Sequence, residues 1–168
     1  MLLFLHLFAD YTFNYPAAYI CWFGKLSGSS DGIRYWLGEN TYWETAMDFE
    51  GAKGMCIARK LFELYPWYKM VPDQLVIAGG QGMGEDHKQA ARAEDGSFIL
   101  VYLTFGNTVS IHTDRISCYE VNAQWYNPRD GRFISIGTCS GTGIRDFTSP
   151  TSFDRDDWVL VLDKSFEK

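Results

Sequence analysis

Residues 119–137 read YEVNAQWYNPRDGRFISIG, and a strand, a turn and a second strand are legible in that order. Tyr119, Val121, Ala123 and Trp125 alternate with Glu120, Asn122, Gln124 and Tyr126, the two-residue period of a strand with one apolar face. Asn127-Pro128-Arg129-Asp130-Gly131 follows. Proline presets φ for a turn, aspartate accepts from nearby backbone N–H groups, and glycine takes positive φ. Arg132–Gly137 (RFISIG) resumes a β-rich run, so the whole predicts a hairpin. Trp125 and Tyr126 point to opposite faces of a regular strand, so at most one of them is expected in a core.

The same texture continues on either side. Phe98–Thr104 (FILVYLT) and Thr108–His112 (TVSIH) flank Phe105-Gly106-Asn107, a second hairpin signal. Further short strands are expected at Gln74–Ala78, Ala90–Ala93 and Asp157–Asp163. Strands at this spacing, without intervening helices, predict an antiparallel β-sandwich. Upstream of residue 73 the pattern changes. Ala52, Met55, Cys56, Leu61, Phe62 and Tyr65 recur at three- and four-residue steps, which predicts a helix over 49–64. Asp48 is its expected N-cap, and Pro66 stops it for want of an N–H. The expected domains are therefore 1–72, with the helix at 49–64, and the β-sandwich over 73–168. Charge divides at the same place: six basic and seven acidic residues before Asp73, nine and fourteen from Asp73 on. The fold class expected is mainly β, an antiparallel β-sandwich preceded by a short helical segment.

Composition excludes several functions. The chain has 168 residues, 46% apolar and 17% aromatic, with a net charge of −6. That aromatic content argues against disorder. No apolar run approaches the roughly 20 residues of a membrane-spanning helix. A pI near 5.0 without a basic patch argues against nucleic acid. Cys21, Cys56, Cys118 and Cys139 form no Cys-x-x-Cys pair, so no metal is expected from them and buried free thiols are. A Cys118–Cys139 bridge between neighbouring strands is the alternative. Met1–Ala9 (MLLFLHLFA) lacks the basic start of a signal peptide and reads as a buried strand or an abrupt start. Gly79–His87 (GGQGMGEDH) lacks the Lys-Ser/Thr of a phosphate loop and reads as a mobile loop. No cofactor is expected.

Two constellations carry candidate chemistry. Trp67, Tyr68, Trp125 and Tyr126 are flat rings able to stack on sugar C–H groups or on an extended peptide, with Arg129 at the adjacent turn as a polar contact. Core packing is their other use. Glu85, Asp86, Asp156 and Asp157 supply paired carboxylates, and glycosidic cleavage needs two acids about 5–9.5 Å apart. Solvated turn acids are the plainer reading of them.

The order and spacing of several motifs resemble a known family. Trp43-Glu44-Thr45-Ala46, Asp48-Phe49-Glu50-Gly51-Ala52, Pro66-Trp67 and Val71-Pro72-Asp73 form one half of the pattern. Ala123–Gly131 (AQWYNPRDG) and Asp157–Leu162 (DWVLVL) form the other. Over about residues 41–168 the chain is similar to the C-terminal part of the DUF4038-type, apiosidase-like glycoside hydrolases. In these a TIM-barrel catalytic domain is followed by a β-sandwich labelled collagen-binding. The resemblance implies that residues 1–72 are the end of such a barrel, and a barrel needs about 200 residues or more. The family's acid pair lies in upstream barrel strands, so no residue here inherits that role. The implied function is an accessory module that binds carbohydrate or collagen-like peptide. The alternatives are a small glycoside hydrolase using a loop carboxylate pair, and a structural domain bracing a barrel supplied by another chain or lost by truncation. The expected partners are a polysaccharide or an extended peptide, with a barrel domain or self-association as the further expectation. The implied setting is extracellular or periplasmic.

Overall fold

The computed structural model describes residues 50–151 and 156–164. The chain divides into two compact units, Met1–Leu61 and Phe62–Lys168. Helix α1 (Glu50–Leu64) begins within one residue of expectation and ends two residues before Pro66. Ala58 and Leu61 are buried, whereas Cys56, placed on the apolar stripe by its spacing, is exposed. The Asp48 cap, the Met1–Ala9 run and the Trp43 motif lie outside the described residues.

Among the described residues nine strands follow: β1 (Met70–Pro72), β2 (Ile77–Gly79), β3 (Gln89–Ala93), β4 (Phe98–Leu103), β5 (Thr108–His112), β6 (Glu120–Tyr126), β7 (Phe133–Ser140), β8 (Ile144–Thr148) and β9 (Trp158–Lys164). They form two antiparallel sheets, β1-β3-β4-β9-β6-β7 and β2-β5-β8. The fold is therefore mainly β, as the alternation predicts. Ile99, Val101, Val121, Trp125 and Leu160 of the large sheet belong to one core cluster with Val109, Ile111 and Phe147 of the small one. The continuous apolar runs FILVYL (β4) and WVLVL (β9) are buried on both faces, as central strands without alternation must be.

The Asn127–Gly131 hairpin forms as expected. Asn127 N–H donates to the Arg132 carbonyl, Arg129 N–H donates to Asn127 Oδ1 at 3.0 Å, and Gly131 adopts φ +75°. The second predicted hairpin does not form. β4 and β5 lie in different sheets, and Phe105-Gly106-Asn107 is the crossing between them. Glycine is needed there for another reason: a Cβ on Gly106 would collide with the Thr151 carbonyl. Gln74–Val76 of the predicted first strand is a 3-10 turn, capped by Asp73, whose Oδ1 accepts the Leu75 N–H.

Candidate functional site

The turn after β6 and the approach to β9 build one polar cluster. Proline at position 128 and the Asn127 side chain fix the turn, and Arg129 leaves it toward Asp157. Arg129 Nη1 donates to Asp157 Oδ1 and to the Asp157 carbonyl, both at 2.9 Å, and lies 3.6 Å from Asp156 Oδ1. Its guanidinium sits 5.0 Å from the centre of the Trp158 ring, a cation–π contact. Tyr102 donates to the other Asp157 oxygen at 3.0 Å. Thr151 Oγ1 accepts from the Trp158 indole N–H at 2.9 Å and donates to Asp156 Oδ2 at 2.8 Å. Burial pushes the Asp157 carboxyl above its ordinary value, while Tyr102 and Arg129 pull it down.

The structure thus brings Arg129, Asp156 and Asp157 together, three of the residues singled out by sequence. Both Asp157 oxygens are engaged inside the protein and its side chain is 5% exposed. A general acid must reach the bond it protonates, and this arrangement holds a buried ion pair instead. Glu85 and Asp86 stand elsewhere, in the 3-10 turn Gly84–Asp86. Asp86 Oδ1 accepts from the buried Lys88 ammonium at 3.1 Å, and the Glu85 carbonyl accepts from Thr104 Oγ1 at 2.7 Å.

The four aromatic candidates separate by burial. Trp125 and Tyr126 are both buried, against the expectation that only one could be, because the end of β6 is buried on both of its faces. Trp125 meets Trp158 edge-on at 6.4 Å, and Tyr126 packs on Phe133 at 4.8 Å. Trp67 and Tyr68 are 49% and 70% exposed and contact each other edge to face at 6.2 Å. They occupy the 3-10 turn Trp67–Lys69 just before β1, which the pair Lys69–Asp95 at 3.0 Å ties to the turn following β3.

A second polar cluster was not visible in the sequence. Tyr65 donates to Asp163 Oδ2 at 2.6 Å, Asn122 donates to Asp163 Oδ1 at 3.0 Å, and Gln124 donates to the Tyr65 hydroxyl oxygen at 3.0 Å. Burial, and then the bond to Asp163, raises the Tyr65 hydroxyl well above its ordinary value. The signal was present in the alternation of β6, whose polar positions 122 and 124 share a face; their partner in β9 was not.

Among the described residues, no His/Cys/Asp/Glu group has the makings of a metal site, and no helix is long and apolar enough to cross a membrane. Cys118 and Cys139 are free thiols packed against the core.

Residues 71–163 match a family model described as "putative collagen-binding domain of a collagenase". A solved structure named as a glycoside hydrolase is similar at 29% identity over 78% of this chain and 29% of its own, with a TM-score of 0.69. A glycoside hydrolase family 5 protein from Bacteroides vulgatus ATCC 8482 is similar at 30% identity over 74% of this chain and 27% of its own, with a TM-score of 0.67. The chain spans less than a third of the length of either structure. No curated protein matches it.

Proposed function

The chain belongs to the collagen-binding domain family that it matches over residues 71–163, and from that premise we propose a non-catalytic module that holds an extended polymer for a glycoside hydrolase-like protein. The finer kinship, with the DUF4038-type enzymes, and the reading of residues 1–72 as the end of a barrel are part of the proposal. The observation that carries it is the exposed Trp67–Tyr68 pair. Two rings at a steep angle, on a turn anchored by Lys69–Asp95, offer apolar faces at small entropic cost. Such faces suit sugar rings or the proline rings of a collagen-type strand. The acidic chain, with pI near 5.0, makes a polyanion the poorest ligand. The hydrolase alternative draws no support from Asp157, whose oxygens are engaged by Arg129 and Tyr102.

Affinity electrophoresis tests the proposal. Migration through gels cast with neutral polysaccharides or gelatin is expected to be retarded in at least one gel, which identifies the polymer class. Retardation is expected to weaken at least tenfold in Trp67→Ala/Tyr68→Ala, as the loss of one stacking ring alone costs about 1 kcal/mol or more. Unchanged mobility in every gel overturns the binding reading. Reducing-sugar release abolished by substituting Glu85 or Asp86 would establish the enzyme instead.

A further inference from the structure

We infer that the solvent-facing side of the Arg129–Asp156 pair binds neighbouring hydroxyls of a neutral sugar, at a site separate from Trp67 and Tyr68. Arg129 Nη1 donates to the Asp157 carboxylate and to its carbonyl. A guanidinium carries five N–H donors, and among the described residues Nε and Nη2 of Arg129 donate to none. Asp156 Oδ2 accepts from Thr151 Oγ1 at 2.8 Å. Its Oδ1 stands 3.6 Å from Arg129 Nη1, too far for a hydrogen bond, and accepts none from the described residues. The two side chains are 35% and 37% exposed. Open donors and an open acceptor therefore stand side by side at the surface.

Both groups are held in place beforehand. Asp157 and the Trp158 ring, 5.0 Å away, fix Arg129. Thr151, itself fixed by the Trp158 indole N–H, orients Asp156. Side chains ordered in the free protein lower the entropic cost of binding. The chemistry of the pair then selects the ligand. A hydroxyl both donates and accepts, so hydroxyls on adjacent carbons satisfy this donor and this acceptor together. An anion would meet two carboxylates around one guanidinium, in a chain of net charge −6. A cation would meet the guanidinium itself. A proline-rich strand brings carbonyls to Arg129 but few N–H groups to Asp156, and sets carboxylate against carbonyl oxygens. The site is distinct from the aromatic pair. Met70 stands opposite Ala93, Phe98 opposite Asp163 and Asp163 opposite Asn122, so Trp67 and Tyr68 precede the end of the sheet where β6 begins. Arg129 follows the end of β6. The inference rests on the binding-module reading only for the polymer that carries the sugar.

Titration of the full chain with the methyl glycosides of glucose, mannose and galactose, followed by NMR, tests the site. At least one glycoside is expected to shift the Arg129 Nε–H and Trp158 indole N–H resonances saturably. Its fully O-methylated form, which cannot donate, is expected to leave them in place. Asp156→Ala and Asp156→Asn are each expected to weaken that binding about tenfold or more, as the loss of a hydrogen bond to a charged group does, with the circular dichroism unchanged. Polysaccharide gels supply the second arm. Periodate, which cleaves the carbon–carbon bond between adjacent hydroxyls, is expected to reduce the retardation. No shift with any glycoside, equal shifts with the methylated form, binding indifferent to both substitutions, or shifts at Arg129 with gelatin peptides alone overturns the proposal. Retardation that survives periodate and both Asp156 substitutions but falls in Trp67→Ala/Tyr68→Ala also overturns it, and leaves the aromatic surface standing. Glycoside shifts without retardation in any gel uphold this site and overturn the polymer reading.

Discussion

Arg129 is held at once by charge, by a carbonyl and by an indole face. Removing it leaves the Asp157 carboxylate buried without its counter-ion. Arg129→Ala is therefore expected to cost about 3 kcal/mol at neutral pH in urea unfolding, the low end for a broken buried pair because the Arg129 side chain is 35% exposed. The cost depends on pH. Burial already raises the Asp157 carboxyl above 3.8, so its folded form holds a proton more tightly than its unfolded form does. The stability linked to that proton is present below the unfolded value and lost as pH rises through the folded one. Without Arg129 the folded value rises further. The deficit of the variant should thus be small in acid and grow towards neutrality; a deficit independent of pH would contradict the linkage. The sequence offered Arg129 as a polar contact at a turn, without its carboxylate partner. Its partner lies 28 positions away, and no local pattern encodes that distance.

At the scale of elements, periodicity served well where one face of a strand meets solvent or a hairpin closes locally. β5 was expected residue for residue, and β6 to within one. It served poorly at the margins. β1 is a three-residue strand containing Pro72, and β8 (IRDFT) is an edge whose only buried residue is Phe147. Neither offers a periodic signal. β4 and β5 were misjoined because Gly106-Asn107 looks like a hairpin turn, whereas the glycine is there to let the Thr151 carbonyl approach. Gly106→Ala is accordingly expected to cost about 1–3 kcal/mol, as overpacking does, read as a lowered denaturation midpoint. It should also disturb Trp158, whose indole donates to Thr151, and shift the tryptophan emission. An unaltered midpoint would show that the 149–151 segment yields freely.

Across the whole molecule, burial reaches groups that ordinarily titrate in water. Burial, and then the negative charge of Asp130, pushes the Tyr126 hydroxyl from 10.0 up to about 12. The folded state therefore keeps a proton that an unfolded chain releases near pH 10. Stability linked to it is full below pH 10 and falls as pH rises through about 12. Tyr65 acts in the same direction. Alkaline titration is expected to show tyrosinate absorbance from these two rings only together with unfolding; a normal, reversible ionisation of all tyrosines in the folded state would refute it. The candidate surface was half legible for the same reason. The sequence put Trp125 and Tyr126 foremost among the four aromatics, and only global burial shows that Trp67 and Tyr68 are the exposed pair.

Burial of β4 and β9 on both faces has a consequence for how the sheet finds its alignment. A strand with one apolar face is kept from sliding by one position because the slip would expose that face. β9 lacks this safeguard, since its two faces are almost equally oily. Alignment must then come from polar fasteners at its ends. Asp157, fastened to Tyr102, stands just before the strand, and Asp163, fastened to Tyr65 and Asn122, near its close. Asp157→Asn/Asp163→Asn is expected to loosen the alignment more than the composition of the core, giving doubled amide resonances along β9 in place of a single set. In this sheet the acids do for strand order what oil and water do elsewhere.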